Sequence, residues 1–158
     1  MTDIAAPARC ATELETLALG ERIGRRVAPG DLILLSGQLG AGKTVLVRGI
    51  ATGMGIDPAQ VRSPTFVLHH VYRAAAKVLH HLDLYRLGPN ADLRLLDIDE
   101  MLESGGVVVV EWGEHADRAA DAPASISIDI DDDGSRVISP PRGAPPRLSG
   151  AWEDGARL

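Results

Sequence analysis

The sequence is poor in cysteine and in lysine, and it holds no long apolar run. One residue of 158 is cysteine, Cys10. It cannot close an internal disulfide, so a reducing cytosol is the expected setting. Only two lysines are present, Lys43 and Lys77, the arginines are scattered, and the formal net charge is -6. Tight binding to a nucleic-acid backbone takes many clustered cations, so no tight direct nucleic-acid contact is expected. No segment reaches the roughly 20 apolar residues of a membrane span. The opening "MTDIAAPARC" lacks the basic head and apolar block of a secretory signal. The expected location is cytoplasmic, with no membrane involved.

What is there reads as one ordinary α/β domain over 1–139, followed by a tail. A chain of this size buries roughly 68–70% of its unfolded surface, enough for a core without staples. Thr12-Glu13-Leu14-Glu15 has the form of a capping box, and Leu19, Ile23 and Val27 continue it as an amphipathic helix that Pro29-Gly30-Asp31 ends. "LILLS" (32–36) is a short buried strand, and "VLVRGIATGMG" (45–55) is a helix closing at Gly53 or Gly55. "FVLHHVY" (66–72) and "VLHHLDLY" (78–85), separated by "RAAAK", predict one β-hairpin. "NADLRLLDIDEMLES" (90–104) reads as one or two helices, and "VVVV" (107–110) as a strand buried on both faces. "ISIDI" (126–130) and "SRVIS" (135–139) predict a second hairpin. From Pro140 to the end, 140–158, the composition turns to Pro, Gly and charge, and a disordered tail is expected.

Between the first strand and the second helix stands "GQLGAGKT" (37–44), which fits G-x-x-x-x-G-K-[ST]. Glycines let backbone N–H groups turn inward around phosphate oxygens. The start of the following helix adds about half a positive charge, and Lys43 a whole one. Gly40, Ala41, Gly42, Lys43, Thr44 and Val45 are therefore the residues expected around the phosphates. Thr44 can offer a hydroxyl to Mg²⁺, which wants a further hard oxygen ligand. Glu111 ends the most apolar strand in the chain and is the expected second ligand, directly or through water. The bland alternative is an exposed acid at a strand end.

Four motifs stand in order: "GQLGAGKT", "SPTF", "HLDLYR" and "EW". Together they resemble the TsaE family, P-loop ATPases needed to make threonylcarbamoyladenosine (t6A) in bacterial tRNA, over about residues 12–139. The resemblance implies a P-loop NTPase-like domain whose mixed sheet is flanked by helices and two β-hairpins. It implies binding of ATP and Mg²⁺, slow ATP hydrolysis, and association with TsaB and TsaD, the latter performing the transfer to tRNA. Thr65 matches the family's switch-like threonine, and a strand-opening turn is its competing account. Asp83 matches the family's key acid, able to orient an attacking water; a solvated strand face is the alternative. Period two places His81, Asp83 and Tyr85 on one face. Catalysis is thus assigned to Asp83, Lys43 and Thr65. Trp112 matches a tryptophan near the nucleotide, with sheet-edge packing as its rival. Glu13 and Arg136 are placed beside the nucleotide on the same basis. Gln38 departs from the family, which often has Asp or another polar residue there.

Other functions compete. A GTPase is excluded, because neither lysine is followed two residues later by the Asp of an [NT]-K-x-D motif. A small-molecule kinase would need an arginine-bearing lid, and none stands out. A non-catalytic nucleotide-sensing module needs no water-positioning acid, so Asp83 separates it from an ATPase. Slow turnover is expected because no arginine finger is evident; Arg86 is the one candidate. His69, His70, His80 and His81 raise a zinc site, but neighbouring histidines on a strand face opposite ways and Cys10 is distant in sequence.

Overall fold

The computed structural model describes residues 5–89, 91–92, 96–117, 123–142 and 145–157. In chain order the elements are β1 (Ala8–Cys10), α1 (Glu13–Gly24), β2 (Leu32–Ser36), α2 (Lys43–Gly53), β3 (His69–Ala74), β4 (Lys77–Asp83) and β5 (Ala91–Asp92). There follow α3 (Ile98–Glu103), β6 (Val107–Glu111), β7 (Ala116–Asp117), β8 (Ala124–Ile130), β9 (Arg136–Ile138) and α4 (Pro146–Glu153). A seven-stranded sheet runs β1-β9-β8-β2-β6-β4-β3, and β5 pairs with β7 apart from it. Strands β8, β2, β6 and β4 are parallel neighbours, while β1–β9, β9–β8 and β4–β3 are antiparallel. The sheet is mixed, and both expected hairpins are present.

Alternation along the central strands sorts the core into two layers. Ile33 and Leu35 of β2, Leu79 of β4 and Val107 and Val109 of β6 pack with α1, α2 and α4. Leu32, Leu82, Val108 and Val110 face the other way, with Ile98 of α3. All four valines of β6 are buried, as a strand covered on both faces requires. Because parity decides the face, Asp83 and Glu111 lie on the α2 side, directly opposite each other in register.

Helix α1 begins at the capping box: the Thr12 hydroxyl accepts from Glu15 N at 3.2 Å and the Glu15 carboxylate accepts from Thr12 N at 3.2 Å. It ends at Gly24, before Val27, and lies against α2 at backbone contact distance. A methyl added at Gly20 would stand 2.6 Å from the Leu46 carbonyl oxygen, and methyls at Gly24, Gly49 and Gly53 would stand closer still to Ile50, Leu17 and Glu21 carbonyls. The two small-residue pairs at four-residue spacing, 20/24 and 49/53, let the backbones meet.

Four expectations need correction. Phe66 to Leu68 are a turn and not strand, with Leu68 at φ 72, and β3 starts at His69. The β3–β4 link shortens to Ala75-Ala76, and β4 stops at Asp83, so Tyr85 belongs to a following 3₁₀ turn (Tyr85–Leu87). In 90–104 helix begins only at Ile98, and Ala91–Asp92 is strand; residues 90 and 93–95 lie outside the described residues. The tail expected to be disordered contains α4. Leu148, Ala151 and Trp152, spaced i, i+3, i+4, are buried, and the Trp152 indole donates to Ile138 O at 2.8 Å. Arg22 Nε donates to Ala151 O at 2.7 Å, and Arg26 pairs with Asp154. Averaged composition hid three apolar residues on one helical stripe, and the prolines mark the helix start, where a missing N–H costs nothing.

His69 Nε2 and His80 Nδ1 lie 3.0 Å apart on the hairpin, so only one of these two nitrogens can carry the shared proton. Burial, then neighbouring positive charge, holds both pKa values below the usual histidine range. The stability from keeping them neutral is therefore full above an unfolded pKa of about 6.5 and is lost as pH falls through the lowered folded values. Unfolding measured between pH 7.5 and pH 5 should show a smaller acid loss for His80→Gln than for wild type. Trp152→Ala should lower unfolding free energy by about 3–5 kcal/mol in denaturant titrations; an unaffected midpoint would return the tail to disorder.

Candidate functional site

The loop between β2 and α2 delivers the first half of the site. Gly42 precedes α2 at φ 102, a conformation that favours glycine, and no side chain caps the helix. The first-turn amides of α2 are thus left facing the cleft, where an anion is favoured. Lys43 is buried at 6% exposure. Its Nζ donates to Gly37 O, and to Gln38 O at 3.0 Å. The ammonium also stands 3.9 Å from the Trp112 ring centroid. Burial pulls the Lys43 pKa below the usual lysine range, and the nearby Glu114, Glu111 and Asp83 charges oppose that pull.

The second half comes from the ends of β6 and β4. Thr44 Oγ1 donates to the Glu111 carboxylate, 2.8 Å from Oε1 and 3.0 Å from Oε2. Glu111 is 3% exposed, so it is not a solvated strand-end acid. Asp83, at 2%, is not on a solvated face either. Its Oδ2 accepts from Thr65 Oγ1 at 2.9 Å and its Oδ1 from Tyr85 N at 2.8 Å. Ser63 Oγ lies 2.7 Å from Thr65 Oγ1. The Ser63-Pro64-Thr65 loop is thereby tied to the end of β4. These are hard oxygen donors of the kind magnesium takes.

A cleft of about 360 Å³ is lined by Gly40, Ala41, Gly42, Lys43, Thr44 and Val45, and across from them by Thr65, Asp83, Glu111 and Trp112. Trp112 sits at φ 59, a left-handed turn directly after Glu111. It lines the cleft, packs on the α3-side core and contacts Tyr85 with ring centroids 5.0 Å apart. Glu13 and Arg136 lie elsewhere, around an adjoining cavity of about 190 Å³ that shares Ala41, Gly42 and Val45 with the cleft. Arg136 grips the loop from outside: Nε donates to Ala41 O at 2.9 Å and Nη2 to Gly40 O at 3.0 Å. Arg86 is exposed and stands over the Phe66 ring, 5.4 Å from its centroid, outside the cleft lining.

Two further residues bear on the site. Glu114, whose charge acts on Lys43, is marked by nothing in its local sequence pattern. His81, which the sequence offers only as a zinc-ligand candidate, bonds Glu111 Oε2 through its Nε2. Period two along the strand places it on the Asp83 face. Among the described residues no group of three or more His, Cys, Asp or Glu side chains is arranged to hold a metal by itself. No helix among them is long and apolar enough to cross a membrane.

A glycine-rich loop joining a parallel strand to a helix, with an acid ending the adjacent strand, defines a P-loop NTPase-like fold. A family model, "Threonylcarbamoyl adenosine biosynthesis protein TsaE", matches residues 10–138, and the chain belongs to the TsaE family. The tRNA threonylcarbamoyladenosine biosynthesis protein TsaE of Mycobacterium tuberculosis is 46% identical over 109 residues, 63% of this chain and 64% of that protein. The match thus spans somewhat less than two thirds of the mycobacterial relative's length. The protein of the same name from Treponema pallidum is 37% identical over 126 residues, covering 79% of this chain and 92% of that one. The crystal structure of Bacillus subtilis YdiB superposes with a TM-score of 0.70 at 28% identity, covering 96% of this chain and 93% of that one.

Because Lys43 rests on the Trp112 face, an anion that draws the ammonium into the loop should change indole emission. In a Trp152→Phe background, adding a nucleoside triphosphate should shift Trp112 fluorescence, and Lys43→Ala should remove the response. An unchanged spectrum at saturating nucleotide would show that the lysine does not move on binding.

Proposed function

We propose that this chain is a Mg-dependent ATP-binding protein with slow ATP hydrolysis, acting as an accessory to a TsaB–TsaD-type complex in t6A modification of tRNA. The observation that carries the proposal is the Thr44–Glu111 hydrogen bond beside Lys43 and the uncapped start of α2. A triphosphate entering the cleft would meet one buried ammonium and two buried carboxylates. Charge balance then calls for a divalent cation between phosphate and acid. When bound, Mg²⁺ would neutralise developing charge on the transferred phosphoryl group.

The chain's own residues divide the remaining tasks. The α2 amides and Lys43 hold the phosphates. Thr44 and Glu111 supply oxygen ligands to the metal. Asp83, held by Thr65 and the Tyr85 amide, is placed to accept a proton from, or orient, an attacking water. Among the described residues no arginine lines the cleft. A missing arginine can cost about 10³–10⁵ in rate, so turnover by the chain alone is slow and a partner completes the site.

Calorimetric titration with ATP and GTP, with and without Mg²⁺ and then with TsaB- and TsaD-type proteins, tests the scheme. Lys43→Ala should weaken ATP binding roughly a thousandfold, the loss of an ion pair worth about 4 kcal/mol at an effective dielectric near 20. Asp83→Asn should bind ATP but lose hydrolysis. Glu111→Gln should blunt the Mg²⁺ effect most. If neither nucleotide binds under any condition, the proposal fails; normal hydrolysis by Asp83→Asn would leave a different residue to handle the water.

A further inference from the structure

The carboxylate of Glu111 is held from two sides. Thr44 reaches it from the cleft. From within the sheet, His81 of β4 presents Nε2 to Oε2. His81 is fully buried and sits two residues before Asp83 on the same face, opposite Val109 in register. Its other nitrogen, Nδ1, lies 3.5 Å from the Tyr72 hydroxyl on β3. That hydroxyl accepts from Arg62 N at 3.2 Å, and its single proton goes to one neighbour at a time among Arg62 O at 3.2 Å, His70 Nδ1 at 3.0 Å and His81 Nδ1. A line of polar contacts therefore runs from the backbone before the Ser63–Thr65 loop, through Tyr72 and His81, to the acid at the end of β6.

We propose that His81 is a positioning residue: it holds the Glu111 carboxylate in the rotamer that serves Thr44 and a divalent cation, and Tyr72 steadies the His81 ring. The inference rests on the Mg–nucleotide proposal above. An ionised carboxylate only accepts hydrogen bonds, so His81 Nε2 is the donor. A glutamate side chain has three rotatable torsions, and a buried donor behind it removes the rotamers that turn away from the cleft. Partners behind a metal ligand are worth about 10–100-fold in metal affinity. A histidine that merely satisfied the core would influence stability and leave metal dependence alone.

The test uses the full chain and compares His81→Asn with His81→Gln. The Gln amide nitrogen can take the place of Nε2; the Asn amide is too short to reach Glu111. Nucleotide affinity is measured by fluorescence or calorimetry across a Mg²⁺ series and without metal, and bound Mn²⁺ is counted by electron paramagnetic resonance. His81→Asn should raise the half-saturating Mg²⁺ and Mn²⁺ concentrations about 10–100-fold while metal-free nucleotide affinity stays at the wild-type value. His81→Gln should recover most of the loss, and Tyr72→Phe should show a smaller shift in the same direction. Wild-type metal dependence in His81→Asn, or an equal fall in metal-free and metal-bound affinity, overturns the inference. A wild-type protein that binds nucleotide with no metal effect removes the Mg–nucleotide proposal first, and this one with it.

Discussion

The hydrogen bond from Thr44 to Glu111 joins residues 67 apart in the chain, and the fold is arranged around the possibility of making it. One end belongs to the first turn of a helix, the other to the last residue of a strand. They meet because β2 and β6 are parallel neighbours with Leu35 opposite Glu111, so the loop leaving β2 arrives where β6 stops. Extending the parallel set to β4 brings Asp83 to the same edge. Any slip of one residue in this register would send the acid of the slipped strand to the α3 side of the sheet. The long runs of buried valine, leucine and isoleucine are what hold the register.

The surroundings hold this edge steady. Glycines at 20, 24, 49 and 53 let α1 lie on α2 at backbone distance, which ties the helix below the phosphate loop to the β1–α1 segment. Arg136 on β9 grips the loop carbonyls from outside, and the α4 segment is tied to β9 through Trp152 and to the α1 end through Arg22 and Arg26. The phosphate loop is thus held on two sides. In contrast, Phe66, Val67, Tyr85 and Leu87 on the far side of the cleft are exposed, so the two flanks of the cleft differ in how firmly they are packed.

Burying Lys43, Glu111 and Asp83 together is costly unless each is paired, and each is. The lysine is satisfied by loop carbonyls and an aromatic face, Glu111 by Thr44 and His81, Asp83 by Thr65 and the Tyr85 amide. Every one of these side-chain partners lies in one of the four motifs, His81 included, although nothing in the motif ties His81 to Glu111. The site therefore closes on itself, and a ligand must exchange these contacts for its own.

Local chemistry made much of this legible from the residues alone. The phosphate loop, the capping box of α1, the valine strand and both hairpins follow from spacing and residue type, because they depend on neighbours within a few positions. Other features depended on contacts across the sheet. Nothing near Glu111 in the chain says which strand lies beside it, or that a histidine thirty residues earlier bonds its carboxylate. The end of β4 at Asp83, the burial of α4 and the loop-gripping role of Arg136 were likewise decided only when the sheet formed. Residue type dictates which groups can bind phosphate or metal; only strand order and register, set by burial of both sheet faces, decide which of them stand together.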